Sequence, residues 1–213
     1  TLSGSDTGFG GLGDDEVHSN GTAIAYGGAG DDTLDGANNI EAYGGDGRDD
    51  WFVSSGGTGW GGSGSDVLTH EANDDLGYGI TLHGSLGADT LSGNSADAIL
   101  DGGIGNDLII VEHSTHANND GVHIDMGLGN DTVYLDPAAV FASADAGGHN
   151  RIVLHNFAAL ADTRGDQIIL GEDSLRSYEG VNWVENSDGS FTLHQLINGS
   201  NQATNLTVFT QDG

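Results

Sequence analysis

The chain has 213 residues, enough for one sizeable domain or two small ones, and 33 Asp plus Glu against 4 Lys plus Arg set a formal charge of −29. Such a surface repels nucleic acid and anionic membrane leaflets, and its natural partners are cations. The absence of cysteine excludes disulfides and thiolate metal sites, and the longest apolar run, within residues 107–111, is far short of the roughly 20 residues of a membrane-spanning helix.

Thr1 is not followed by a charged stretch and an apolar segment, so no N-terminal secretory signal is expected and the chain reads as a piece of something longer. Hydrophobic residues make up 36% of a sequence with 38 Gly and 1 Pro, poor material for a thick core. A narrow architecture punctuated by glycine is the alternative. After a fragment, Gly4-Ser5-Asp6, the pattern G-G-x-G-x-D begins at residues 10, 27, 44 and 61, each copy 17 residues after the last. It returns less regularly as G-S-L-G-A-D from residue 84, G-G-I-G-N-D from 102 and M-G-L-G-N-D from 126, after steps of 23, 18 and 24. A fixed period of this length indicates a repeat architecture.

Two residues after the final Asp of each copy stands an apolar residue: Val17, Leu34, Trp51, Leu68, Leu91, Ile109 and Val133. A six-residue turn followed by a three-residue strand makes a half-coil, and two half-coils make one coil of a parallel solenoid. The second strand of each coil ends just before the next G-G, which places Ala25, Ala42 and Gly59 inward, opposite the larger Leu34, Trp51 and Leu68. The aromatic residues Phe9, Tyr26, Tyr43 and Trp60 then recur at 17-residue spacing on the outside. They are expected to stack as a ladder that covers the roll against another segment or, alternatively, presents a platform to a polysaccharide.

Stacking brings successive aspartates to roughly 5 Å from one another, the spacing of neighbouring strands. Such a row of like charge requires intervening cations. Calcium suits it best, because that ion is hard, takes 6–8 oxygen ligands and tolerates irregular sets of carboxylates and backbone carbonyls. The turns on the other side lack the full motif, so the metal is expected mainly along one edge.

The repeats resemble the G-G-x-G-x-D-x-U-x nonapeptides of the RTX (repeats-in-toxin) family, the hemolysin-type calcium-binding repeats, over residues 1–135. The resemblance implies an all-β fold, a calcium-binding parallel β-roll. It also implies ligation by the final aspartates Asp15, Asp32, Asp49, Asp66, Asp89, Asp107 and Asp131. The implied turn positions are Gly10, Gly11, Leu12 and Gly13 in the first copy, Gly27, Gly28, Ala29 and Gly30 in the second, and Gly44, Gly45, Asp46 and Gly47 in the third. Gly61, Gly62, Ser63 and Gly64 follow, then Gly84 and Gly87, then Gly102, Gly103, Ile104 and Gly105, and last Gly127 and Gly129. Family members include toxins, proteases, lipases, epimerases, adhesins and surface-layer proteins, many secreted by type I machinery. A secreted or bacterial cell-surface location is the corresponding expectation, with calcium ions as cofactor. A polysaccharide or the rest of a larger polypeptide is a further candidate partner.

Residues 136–213 read as a C-terminal capping region, mostly antiparallel β. Asp136, Pro137 and Gly147 suggest a short helix with an N-cap, a first-turn proline and a stop. Strands are expected at 151–157 and 166–170, followed by a hairpin around Asp188-Gly189 and a strand at 205–210. The extreme C-terminus is compatible with an uncleaved type I secretion signal. No catalysis is expected: the strings at 70–74 and 112–116 fail H-E-x-x-H, and no G-x-S-x-G is present. The chain is therefore either a calcium-binding module in its own right or the non-catalytic tail of a secreted enzyme. His113, His116 and His123 are a second metal candidate, weighed against solvated histidines in an insertion loop.

Overall fold

The computed structural model describes residues 2–3, 6–37, 39–53, 56–70, 79–93, 98–111, 121–136, 152–157, 165–170, 181–197 and 200–210, all of them strands and their connections. One sheet holds, in spatial order, β1 (Leu2–Ser3), β3 (Glu16–Asn20), β5 (Thr33–Ala37), β7 (Asp50–Val53), β9 (Val67–His70), β11 (Thr90–Ser92), β13 (Leu108–Val111), β15 (Thr132–Leu135) and β17 (Gln167–Leu170). The second holds β2 (Thr7–Leu12), β4 (Ile24–Ala29), β6 (Ile40–Asp46), β8 (Gly57–Gly64), β10 (Ile80–Gly87), β12 (Ile99–Ile104), β14 (Val122–Asp125) and β16 (Ile152–Phe157). It continues through β20 (Ser200–Thr210) and β19 (Phe191–Ile197) to β18 (Val181–Glu185) at its edge. The chain thus changes sheet after every strand as far as β18, and every pairing among β1–β17 is parallel.

Alternation with period two selects the inward residues. Val17, Leu34, Trp51, Leu68, Leu91, Ile109 and Val133 pair in one continuous register across the first sheet. They share a single buried cluster with Ala25, Ala42, Leu82, Leu100 and Ile124 of the second sheet, so the sheets face each other across a thin core. Large residues do oppose small ones: a Cβ built on Gly59 would stand 2.6 Å from the Trp51 ring. In so narrow a core, each volume is set by its partner across the gap.

The parallel stacking does not stop at residue 135. β16 pairs parallel with β14 and β17 with β15, and Ile168 follows Val133 in the inward column. The antiparallel part is confined to β18–β19 and β19–β20, while β20 itself lies parallel to β16. A mostly antiparallel cap was expected; an antiparallel hairpin is present, but Ile152, Val153 and Leu154, all buried, first extend the parallel stack. The hairpin turns at Asp188-Gly189 as anticipated, with Gly189 at φ +83° and the Ser190 N–H donating to Asp188 Oδ1 at 3.0 Å. The anticipated helix lies outside the described residues except for Asp136.

Connections at the two edges differ. From β2 to β13, those leading from the second sheet to the first never exceed three residues, whereas those leading back are two or three residues up to β8 and six to sixteen from β9 to β16. The extra residues of the 23- and 24-residue steps therefore enter at the edge away from the aspartates. Among the seven motif copies no insertion falls at the aspartate edge, and the longest connection there, between β16 and β17, ends at Asp166, outside the motif.

The second turn position is glycine with positive φ in six copies, but in the fifth it is Ser85, at φ +82°. An L-residue in that region is strained by about 1 kcal/mol. Ser85→Gly is therefore expected to stabilise the folded protein by about that amount and raise its thermal midpoint by about 2–4 °C. A midpoint unchanged or lowered would show that the strain is relieved by a contact of the serine.

Candidate metal centre

Each aspartate-bearing turn is forced tight by its fourth residue, a glycine at positive φ in every copy; Gly47, at +136°, is representative. A Cβ there would collide with the carbonyl group of the equivalent residue one layer earlier, Gly30. Only glycine lets successive turns stack so closely. The sixth residue then turns back beneath the turn, and the aspartates form a column.

In that column each carboxylate serves the layer before it. The backbone N–H of Asp15 donates to Oδ1 of Asp32 at 2.8 Å, that of Asp32 to Asp49 at 2.9 Å and that of Asp49 to Asp66 at 2.8 Å. The bonds Asp66 to Asp89, Asp89 to Asp107 and Asp107 to Asp131 continue it at 2.8, 2.9 and 2.8 Å. Asp32, Asp49, Asp66, Asp89, Asp107 and Asp131 are no more than 2% exposed. The other oxygen, Oδ2, is buried without a hydrogen-bond partner in all seven. A buried ionised oxygen left in this state is strongly unfavourable.

The titration of these groups reflects it. Burial, partly offset by the hydrogen bond from the preceding aspartate's backbone and reinforced by neighbouring carboxylates, pushes Asp66 and Asp107 up to about 7. The same balance brings Asp49 and Asp131 to about 6, and Asp89 is raised chiefly by burial. The column holds its full charge at neutral pH only at a cost.

Beside six of the seven Oδ2 atoms, a glycine keeps the approach between that oxygen and the next layer's carbonyl clear of a side chain. A Cβ on Gly10 would lie 2.9 Å from Asp15 Oδ2 and 2.5 Å from the carbonyl oxygen of Gly27, and one on Gly102 would lie 2.7 Å from Asp107 Oδ2 and 2.8 Å from that of Met126. Gly27, Gly44, Gly61 and Gly84 are bounded in the same way, by the Oδ2 of Asp32, Asp49, Asp66 and Asp89 and by the carbonyls of Gly44, Gly61, Gly84 and Gly102. Among the described residues no three His, Cys, Asp or Glu side chains converge on one point. A cation here would meet one carboxylate oxygen and one main-chain carbonyl, hard oxygen donors of the kind that calcium takes in preference to the nitrogen and sulfur ligands of zinc or copper.

Of the expected turn positions, the carbonyls of Ala29, Asp46 and Ser63 accept N–H bonds from Gly13, Gly30 and Gly47 of the preceding layer, at 2.6, 2.8 and 2.8 Å. Leu12 and Ile104 expose their side chains at the turn, and the Asp46 carboxylate accepts the Ser63 hydroxyl at 2.6 Å. Asp6 lies before β2 at the opposite edge, with its carbonyl bonded by Ile24 N–H, and so stands outside the column. His113 and His116 lie outside the described residues. His123 is exposed on β14, its ring 6.4 Å from that of His155.

The column also has an eighth member that the motif search does not include. The N–H of Asp131 donates to Oδ1 of Asp166 at 2.9 Å, and Asp166 is buried. Its run-in lacks the glycines, but Ile168 stands two residues after it, as in the other copies. That spacing was the available signal.

On the outer face of the second sheet, the rings of Phe9, Tyr26, Tyr43 and Trp60 do stack, with centroids 4.9, 4.9 and 4.4 Å apart and planes within 11° of parallel. His83 extends the row at 5.5 Å from Trp60. Because the faces meet one another, a sugar finds a free ring face chiefly at the Phe9 end; the row acts as a clamp between layers. Trp60→Ala, which removes a ring stacked on both sides, is expected to cost about 1–2 kcal/mol of stability, whereas Phe9→Ala at the end costs less than half as much. Thermal midpoints of the two variants check this, and equal losses would mean that stacking contributes nothing. Compared with known proteins, the chain matches no family model, no curated protein and no solved structure.

Proposed function

We propose that the chain is a calcium-loaded parallel β-roll of the RTX kind, non-catalytic by itself, which folds when calcium binds outside the cell and serves as a folding, secretion or adhesion module. The observation that carries this reading is the column of seven buried Oδ2 atoms without partners, six of them beside a glycine and the carbonyl oxygen of the next layer. Bound calcium would supply positive charge along that row and accept lone pairs from both kinds of oxygen. The chain's own part is to hold the donors. Oδ1 is fixed by the neighbouring N–H, which aims Oδ2 into the space, and the glycines keep that space open.

Location follows from affinity. Extracellular calcium modules bind at about 10⁻⁴–10⁻³ M, so the sites would remain empty in a low-calcium cytosol and fill outside. Ligand binding then becomes folding free energy. No helix among the described residues is long and apolar enough to cross a membrane. The test is far-UV circular dichroism of chelator-treated protein during calcium titration, with magnesium as the comparison. A β-signal that calcium does not change would overturn the proposal.

A further inference from the structure

Six of the seven motif copies begin with glycine, and at all six a Cβ would come within 3 Å of the copy's own aspartate Oδ2 and of the next layer's carbonyl oxygen. The missing Cβ is what leaves the space between those oxygens. The seventh copy begins with Met126, fully buried in the hydrophobic cluster. Its Asp131 nevertheless keeps the posture of the others, with Oδ1 accepting from Asp107 N–H at 2.8 Å and Oδ2 buried without a partner. The aspartate is present, while methionine stands where the other copies have glycine.

The layer beyond differs as well. Met126 N–H donates to the carbonyl of His155 at 3.3 Å, and the next residue, Asn156, adopts φ +57° and donates its side-chain amide to Asp125 Oδ1 at 2.6 Å. A residue with a side chain thus lies on each side of the gap where the earlier layers have glycine. We infer that Met126 terminates the cation array. The chain takes six ions, beside Asp15, Asp32, Asp49, Asp66, Asp89 and Asp107, and Asp131 and Asp166 form a hydrogen-bonded end without an ion. The array has a polarity: open spaces toward the N-terminus, and an apolar stop where Met126 joins Leu154 and Leu135 in the core beneath the C-terminal strands.

This rests on the calcium reading above, and counting ions separates the two. Calcium bound per chain at saturation, by equilibrium dialysis against ⁴⁵Ca, is expected to be about six for the wild type and about seven for Met126→Gly. Met126→Ala removes a similar volume but keeps the Cβ, so its count stays with the wild type. Asp131→Asn leaves the wild-type count unchanged, and Asp107→Asn lowers it by one. A wild type that binds no calcium overturns the calcium reading itself. A wild-type count of seven that falls to six in Asp131→Asn overturns the termination by Met126 and leaves the calcium reading standing. If Met126→Gly does not fold, the Asp131→Asn and Asp107→Asn counts still decide between them.

Discussion

Stripped of divalent cations at neutral pH, the chain is expected to be largely unfolded and to gain its β-structure cooperatively on adding calcium, with a midpoint between about 10⁻⁴ and 10⁻³ M. Four members of the column bind protons with pKa values of about 6 to 7, against the ordinary carboxylate value near 4. Holding them ionised at neutral pH opposes the fold, and a typical domain has only about 5–15 kcal/mol in total to set against it. The 38 glycines enlarge the entropy lost on folding, and the core between the two sheets is thin. With calcium at ten to a hundred times the dissociation constant, each site contributes about 1.4–2.7 kcal/mol, enough over several sites to reverse the balance. Circular dichroism should therefore show little β-signal in chelator and a steep transition on titration. Magnesium, which demands near-octahedral geometry, should not replace calcium at equal concentration. Native-like β-structure in excess chelator at pH 7.5 would remove the premise that the column needs cations.

The repeat made the interior legible before the exterior. A 17-residue period with an apolar residue two places after each aspartate determines which side chains stack inward, and Val17, Leu34, Trp51 and Leu68 do so. The facing of large on small residues was readable for the same reason: Gly59 is the only kind of residue that fits against Trp51. Asp166 was not readable from the motif, because hydrogen bonding to the preceding turn needs the carboxylate at the right height but not the glycines before it. Side-chain torsions also escape a period. The outward direction of Tyr26, Tyr43 and Trp60 follows from alternation, whereas the turning of ring face against ring face depends on rotamers that no spacing encodes. Met126 is the opposite case. As one letter in a motif it looks like tolerated variation, and it gains meaning only beside the six glycines at which a Cβ would meet the aspartate Oδ2.

Asp66→Asn is expected to act in opposite directions with and without calcium. Asp66 lies mid-column, its Oδ1 bonded by Asp49 N–H at 2.8 Å and its Oδ2 buried without a partner. Asparagine keeps an Oδ1 acceptor for that N–H and replaces the other oxygen by an uncharged amide, so the burial and repulsion that push Asp66 up to about 7 disappear. Because the folded-state pKa lies above the ordinary value, the metal-free fold is most stable below about pH 4 and loses this contribution as pH rises through about 7. Metal-free wild type should accordingly recover β-signal as pH is lowered from 7.5 toward 5, above the sequence isoelectric point of about 4.1, where the chain carries no net charge to keep it soluble. Asp66→Asn should recover at higher pH, by roughly half a unit or more, since one of the protons needed is no longer required. In calcium the sign reverses. The lost carboxylate oxygen weakens the site it faces, and the calcium midpoint at pH 7.5 should rise several-fold, with a stability loss of about 1–3 kcal/mol at a fixed millimolar calcium concentration. Both limbs are read by circular dichroism on the same two proteins, one titrated with acid in chelator and the other with calcium. A variant less stable than wild type in both titrations would mean that the Asp66 carboxylate is simply a structural hydrogen-bond acceptor, and that its buried second oxygen is not a place for a cation.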